Sequence, residues 1–163
     1  MRGSRSTGAL LVAMLLLAGC ATKFSGGGFM PSATAQGKAT FGFTFECAAP
    51  DDCSDGRMQG AYHDRAADVR FRFTGIVEAS AEPGFSDNCM GGTMAYTSQG
   101  VDRGSGEVMV LACDAGRGGP SAGDTLTILV MTGPYGGPPF GNAVFPGYAN
   151  SATLEGGNLR AHD

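Results

Sequence analysis

Apolar and polar residues alternate along two stretches of the chain, and this alternation limits what it can fold into. Between residues 39 and 45, alanine and three phenylalanines alternate with threonine and glycine, and between residues 69 and 73 valine and phenylalanine alternate with arginine. A period of two puts every second side chain on the same face of an extended strand. Each stretch therefore predicts a strand with one buried face.

Further stretches with strand-like composition recur at regular spacing. They cover residues 58–64, 85–90, 92–98, 107–112, 124–132 and 152–162. Glycine accounts for 28 of the 163 residues and supplies turns between them. About eight strands at this spacing predict an all-β fold, a small antiparallel sandwich or barrel. We expect no substantial helix after the N-terminal segment.

The first 20 residues have the pattern of a secretory signal. Arg2 and Arg5 precede an apolar run from Ala9 to Leu17, which is too short to span a bilayer as a helix. The ending Leu17-Ala18-Gly19-Cys20 resembles the bacterial lipobox. That resemblance implies cleavage before Cys20 and lipidation of its sulfur and amino group. We therefore expect an extracytoplasmic protein that is lipid-anchored to a bacterial membrane.

The predicted organisation has three parts. Residues 1–19 form the signal peptide, residues 20–36 a lipidated and flexible tether, and residues 37–163 a single β domain. Residues 1–19 hold two arginines and no acid, so nine basic residues remain against fifteen acidic ones, a formal charge of −6. This acidic balance argues against binding nucleic acid or anionic lipid. Besides the membrane that holds the anchor, we expect a protein or a glycan as the partner.

Four cysteines follow Cys20, namely Cys47, Cys53, Cys89 and Cys113. An even number in an exported chain predicts two disulfides, with three possible pairings. Cys89–Cys113 is favoured, because a hairpin centred near Val101 places these residues opposite each other, within disulfide reach. Cys47–Cys53 then closes a short acidic loop. Zinc is disfavoured, because five residues between two cysteines is not zinc-knuckle spacing and an oxidising compartment removes free thiolates.

A long loop from Gly133 to Asn150 is rich in proline and aromatic residues. Its aromatic residues are Tyr135, Phe140, Phe145 and Tyr148. Loops of this length in compact domains are often functional, and exposed rings there would stack on a sugar or grip a protein. The favoured alternative is that the rings fold back and cap the open end of the β core. The loop remains the first candidate binding surface.

His63 and His162 are the only histidines of the chain. Both lie near predicted strand ends, so together with Asp64 they would form a divalent metal site if those ends meet. Two imidazoles and one carboxylate fall short of a closed structural zinc site, and a hydrogen-bonded structural pair is the favoured alternative. No Gly-x-Ser-x-Gly elbow precedes a helix, so a serine hydrolase is not predicted. We expect no cofactor and assign no catalytic residue.

Five short motifs together resemble the post-COAP family, small domains of bacterial exported and cell-surface proteins. They are Gly26–Ser32, Lys38–Phe43, Gln59–Asp64, Gly123–Ile128 and Leu154–His162, in the order found in the family. They span nearly all of the chain after Cys20, and each alone is weakly specific. Phe29 stands where members typically carry tryptophan, and the aromatic loop and the Cys47–Cys53 segment look like additions. The resemblance implies a β fold outside the cytoplasm and no activity.

Two functional hypotheses follow from these patterns. The first is a lipid-anchored cell-envelope protein whose β domain binds or scaffolds without catalysis. The alternative is a small metal-binding or hydrolytic envelope protein that uses His63 and His162. Contiguous exposed aromatics on the long loop would favour the first hypothesis. Shared metal ligation requires the two imidazoles to lie within about 7 Å of each other.

Overall fold

The structure is a computed structural model that describes residues 23–47, 56–80, 88–116, 123–137, 139–140, 143–144 and 147–162. The protein is all-β, which confirms the predicted fold class. The strands are β1 (Lys23–Pro31), β2 (Lys38–Glu46), β3 (Arg57–Asp64), β4 (Val69–Ser80), β5 (Cys89–Ser98), β6 (Ser105–Cys113), β7 (Thr125–Val130), β8 (Pro139–Phe140), β9 (Ala143–Val144), β10 (Tyr148–Thr153) and β11 (Gly156–His162).

In this part of the chain, nine strands form one antiparallel sheet in the order β10-β7-β6-β5-β4-β3-β2-β1-β11, and β8 pairs with β9 separately. The edge strands β10 and β11 are joined by Leu154 and Glu155 alone. Such a link spans only about 10 Å, whereas neighbouring strands lie about 4.8 Å apart. In a flat sheet of nine strands, β10 and β11 would lie eight such spacings apart, far beyond the reach of this link. The two edges come close together because the sheet curls into a half-barrel.

Side chains on the concave face fill the interior. Phe71 on β4 lies at the centre, and its ring centroid is 5.4 Å from that of Tyr62, 5.5 Å from that of Phe73 and 4.9 Å from that of Tyr96. Such aromatic pairs stabilise a core by about 0.5–1.5 kcal/mol each beyond their buried area. The alternation at residues 39–45 has the predicted effect, since the alanine and all three phenylalanines are buried.

Two carboxylates hold the edge strand β11 against the β6–β7 connection. Asp124 accepts hydrogen bonds from the backbone N–H groups of Leu159 at 2.8 Å and Ala115 at 3.0 Å. Asp114 accepts one from the N–H of Ala161 at 3.3 Å. A free sheet edge exposes N–H groups that invite pairing with another chain. The two carboxylates therefore satisfy part of the edge that backbone pairing leaves open.

The β5–β6 hairpin has the predicted register. Cys89 lies opposite Cys113, and Thr97 lies opposite Ser105. A disulfide joins Cys89 to Cys113, which confirms that pairing. Cys47 is also disulfide-bonded. Its predicted partner, Cys53, lies outside the described residues.

The predicted tether is contradicted by the structure. Residues 23–31 fell within the segment 20–36 that was expected to be flexible, but they form β1, which lies inside the sheet between β2 and β11. The folded domain therefore includes Lys23 and does not start at residue 37. The run of three glycines suggests a linker, yet a Cβ at Gly28 would collide with the backbone oxygen of Gly156 on β11. Glycine at this position permits close approach of the two strands.

The C-terminal region also differs from the expectation. Residues 152–162 were predicted as one strand, but they contain the end of β10, the link and all of β11. The start of β10 at Tyr148 lies in the segment that was predicted to be a loop. Of the strand expected at residues 85–90, residues 85–87 lie outside the described part of the chain.

Candidate functional site

Five buried polar side chains form one hydrogen-bonded group near the end of β3. We call them the Asp64 cluster: Ser32, Tyr62, Asp64, Tyr148 and Asn150. None is more than 9% exposed, although Tyr62 and Asp64 lie on β3, Tyr148 and Asn150 lie on β10, and Ser32 lies in the β1–β2 turn. Burying polar groups is unfavourable unless each finds a partner, so the partners decide what this cluster does.

Asp64 is surrounded by hydrogen-bond donors. Its Oδ1 and Oδ2 accept from the Ser32 hydroxyl at 2.7 and 2.9 Å. The Tyr148 hydroxyl donates to Oδ2 at 2.8 Å. The backbone N–H groups of Ala33 and Ala67 donate to the carboxylate at 3.0 and 3.3 Å. Four donor groups thus hold one carboxylate that has no solvent exposure.

The rest of the cluster ties β10 to β1 and β3. The hydroxyl oxygens of Tyr62 and Tyr148 are 2.6 Å apart. Asn150 Nδ2 donates to the Tyr62 hydroxyl at 2.8 Å and to the carbonyl of Pro31 at 3.0 Å. Across the described residues, every buried side-chain nitrogen or oxygen has a hydrogen-bond partner.

The protonation states of the cluster follow from these contacts. Burial tends to raise the pKa of Asp64, but the hydrogen bonds from Ser32, from Tyr148 and from two backbone amides outweigh burial and hold that pKa below its ordinary value of 3.8. Burial raises the pKa of Tyr62 to about 12. Burial and the neighbouring Tyr62 and Asp64 raise the pKa of Tyr148 as well. At neutral pH the cluster therefore holds one carboxylate and two neutral phenols.

The Asp64 cluster is built for structure rather than for catalysis. A general base must reach the proton of a substrate, whereas Asp64 is fully buried and its oxygens are occupied by protein donors. The cluster instead fastens the β1–β2 turn and β10 onto β3.

The two histidines lie towards opposite ends of the sheet. His63 lies opposite Thr40 of β2. His162 lies opposite Lys23 of β1, which in turn lies opposite Glu46 of β2. Thr40 and Glu46 are six residues apart on that strand, which corresponds to about 20 Å. The imidazoles are therefore too far apart to share a metal ion.

Asp64 does not join either histidine. Successive side chains of a strand point to opposite faces, and Asp64 is buried on the concave face while His63 lies on the convex one. His162 is instead hydrogen-bonded to the Ser25 hydroxyl at 2.8 Å. The predicted metal site of His63, Asp64 and His162 is thus wrong. No group of three metal-binding side chains occurs among the residues that the structure describes.

Two of the four aromatics on the predicted binding loop belong to the core. Tyr148 is 9% exposed and lies in β10. Tyr135 packs against the core, and its ring stacks on that of Tyr96 with centroids 6.2 Å apart and planes 16° apart. These two rings are therefore part of the core and do not form an exposed binding surface. Phe140 belongs to β8, and Phe145 lies outside the described residues.

Removing the Tyr135 hydroxyl tests this cap. The hydroxyl accepts a hydrogen bond from the Ser98 hydroxyl at 3.0 Å and donates one to the carbonyl of Arg70 at 3.2 Å. We expect Tyr135→Phe to lower the free energy of unfolding by about 1 kcal/mol, measured by urea denaturation. An unchanged midpoint would show that water replaces both partners and that the cap adds nothing through this group.

Exposed cations gather on one surface, the convex face of β11, β1, β2, β3 and β4, which we call the basic face. They are Lys23, Lys38, Arg57, Arg70, Arg72 and Arg160. The lysines are paired, Lys23 with Glu46 at 2.5 Å and Lys38 with Glu155 at 3.7 Å. In the described part of the chain, none of the four arginines lies within ion-pair distance of a carboxylate, although Arg57 faces Glu46 across β2 and β3. The net charge of the chain gives no hint of this surface, because a sum over all residues hides where each charge lies.

Comparison with protein-family models, with curated proteins and with solved structures finds no match to this chain. The resemblance to the post-COAP family therefore stays a prediction from the motifs. None of the described residues belongs to a helix that is long and apolar enough to cross a bilayer.

Proposed function

We propose that this protein is a lipid-anchored cell-envelope protein whose curled sheet binds a partner through its outer surface and catalyses no reaction. The basic face carries the binding role, because three of its exposed arginines, Arg70, Arg72 and Arg160, have no carboxylate partner among the described residues of an otherwise acidic chain. The Asp64 cluster supports the absence of catalysis, because its groups are buried and engaged with one another. The partner therefore contacts the basic face and not the buried Asp64 cluster.

The start of β1 supports an anchor held close to the membrane. Only Ala21 and Thr22 separate Cys20 from Lys23, the first residue of β1. Three residues span at most about 10 Å. Lipid on Cys20 would hold the beginning of β1 against the bilayer, and the basic face would extend away from it along the strands.

The anchor is tested by the mass and the location of the protein. We expect membrane-extracted protein to have the mass of a chain that starts at Cys20 and carries glyceride and acyl groups. Several acyl chains bind a membrane firmly, since each buried methylene contributes about 0.8 kcal/mol. Cys20→Ser should therefore move the protein to the soluble fraction, while Ala21→Ser, which keeps the cysteine, leaves it in the membrane. An unlipidated mass, or a Cys20→Ser protein that stays in the membrane, would overturn the anchor.

A further inference from the structure

We propose that the basic face is a docking surface for a linear polysaccharide that carries carboxylates, a polyuronate. This inference rests on the proposed binding role and names the chemistry of the partner. It does not depend on the lipid anchor.

The charge of the basic face is opposite to that of the whole chain. The chain after residue 19 has a formal charge of −6. Among the described side chains, by contrast, the basic face holds six cations and two carboxylates, Glu46 and Glu155. Arg57 faces Glu46 across β2 and β3. The cations that have no carboxylate partner among the described residues are Arg70, Arg72 and Arg160. A guanidinium group binds a carboxylate through two parallel hydrogen bonds. An anionic partner is thus attracted to this face and repelled by the acidic remainder.

The spacing of the arginines favours a polymer over a single anion. Arg72 on β4 and Arg160 on β11 are four strand positions apart, which is about 19 Å along the sheet. A small anion reaches only one of them. A chain with a carboxylate on successive sugars reaches several at once, and each further contact forms at high effective concentration.

The shape and chemistry between the arginines favour a sugar chain. A shallow depression of about 580 Å³ lies on β1, β2 and β3. Ser25, Thr44 and Gln59 line it with two hydroxyls and an amide, which are hydrogen-bonding partners for sugar hydroxyls. Its floor includes the backbone of Gly42. A polymer chain can lie in such a depression across the strands.

Two other polyanions fit this face less well. Proteins that bind single-stranded nucleic acid stack bases on exposed rings. The phenyl ring that the described residues place on this face belongs to Phe29, and the Lys38 ammonium covers it at 3.8 Å from the ring centroid. A lipid surface is flat and does not fill the depression. The side chains of Ser25, Thr44 and Gln59 that line the depression are polar, and the ring of Phe43 is buried in the core, so nothing here inserts among acyl chains.

Affinity electrophoresis of the full chain in neutral detergent tests the proposal, with alginate as the polyuronate and dextran as the uncharged polymer. We expect alginate to retard the protein and dextran to have no effect. Retardation should weaken as salt rises, because exposed charges are screened. Mixed micelles of phosphatidylglycerol in the same detergent and single-stranded DNA serve as the competing polyanions.

Matched variants locate the binding surface. Arg72→Gln with Arg160→Gln should raise the Kd for alginate at least about tenfold. Arg65→Gln with Arg103→Gln removes the same charge from exposed positions on two turns and should change the Kd less than about twofold.

A second variant fills the depression directly. Gly42→Glu places a carboxylate there without strain, because the nearest atom to a Cβ at this position is 4.0 Å away. It should also weaken alginate binding at least about tenfold, while Gly42→Gln weakens it less.

The outcomes are distinguishable. Equal losses in the two arginine pairs would show that charge acts without a defined surface and would overturn the proposal. Binding to phosphatidylglycerol micelles or to DNA through Arg72 and Arg160, with none to alginate, would overturn the proposal of a polyuronate. A lipidated protein that fails to bind alginate would overturn the polyuronate proposal and support the lipid anchor. An unlipidated protein that binds alginate through these arginines would overturn the lipid anchor and support the polyuronate proposal.

Discussion

Asp64→Ala is expected to lower the free energy of unfolding by about 3–5 kcal/mol, because several buried hydrogen-bond donors lose their shared acceptor at once. The substitution leaves the hydroxyls of Ser32 and Tyr148 and the N–H groups of Ala33 and Ala67 without their shared acceptor. Each buried donor that stays unsatisfied costs about 1–3 kcal/mol. Urea denaturation measures the loss as a lower midpoint at an unchanged slope.

Asp102→Ala is the matched control for this substitution. Asp102 is an exposed carboxylate on the β5–β6 turn, so its loss should change stability by less than about 0.5 kcal/mol. A similarly small effect at Asp64 would contradict the structural role of the cluster, since it would mean that the four donors find other acceptors at no cost.

The same carboxylate makes stability depend on acid. The pKa of Asp64 in the folded protein lies below 3.8, while an aspartate in an unfolded chain has a pKa of about 3.9. Between these two values the unfolded state binds more protons, so stability falls as the pH falls. The ionised Asp64 stabilises the folded state fully above the pKa of aspartate in the unfolded chain. This stabilisation is lost as the pH drops through the pKa of Asp64 in the folded protein. The stability gap between the wild type and Asp64→Asn should therefore narrow below about pH 4.

Gly60→Ala is the second substitution with a large expected effect, a loss of roughly 2–5 kcal/mol. Gly60 has a φ of 146°, which side chains with a Cβ rarely adopt. An added Cβ would collide with the backbone oxygen of Gly42 and lie 2.6 Å from the Cα of Phe43. Strain of about 1–2 kcal/mol adds to an overpacking cost of about 1–3 kcal/mol. These backbone atoms belong to the paired strand β2, so they cannot rotate away.

Gly42→Ala provides the control on the neighbouring strand. A Cβ there has ordinary space, with its nearest neighbour 4.0 Å away, and the φ of Gly42 is not left-handed. We expect no loss, or a gain of up to about 1 kcal/mol from the smaller entropy of the unfolded chain. Thermal unfolding of both variants gives the comparison. Equal effects would contradict the close approach of β2 and β3 at Gly60.

The β5–β6 hairpin shows what the sequence can predict. Alternation located the strands, and the midpoint of the turn near Val101 set the register that brings Cys89 opposite Cys113. Both signals are local, so they need no knowledge of the rest of the fold. The same holds for the buried face of residues 39–45.

β1 was not predicted from the sequence, because one of its two partner strands, β11, is distant in sequence. Glycine residues 26–28 have no side chains to show an alternation, and they suggest a linker. Glycine is present here because β11, which lies more than 120 residues later in the chain, approaches this part of β1 closely. A contact over such a separation leaves no local pattern.

Alternation does contain one signal about the buried cluster. Tyr62 and Asp64 are two residues apart on β3, so their side chains share the concave face, while His63 between them faces outward. Applied to this strand, the rule separates Asp64 from both the histidine and a surface metal. Alternation does not reveal that Tyr148, 84 residues further on, completes the cluster.

The position of β1 also affects the order in which the fold is completed. β1 pairs with β2 on one side and with β11 on the other. A chain is synthesised from its N-terminus, and segments that emerge early can begin to fold before later ones appear. The second side of β1 then waits, with open hydrogen-bonding groups that another copy can occupy. That side is covered only when the seven residues of β11 have been synthesised. Until then, β1 can pair with a strand of another copy.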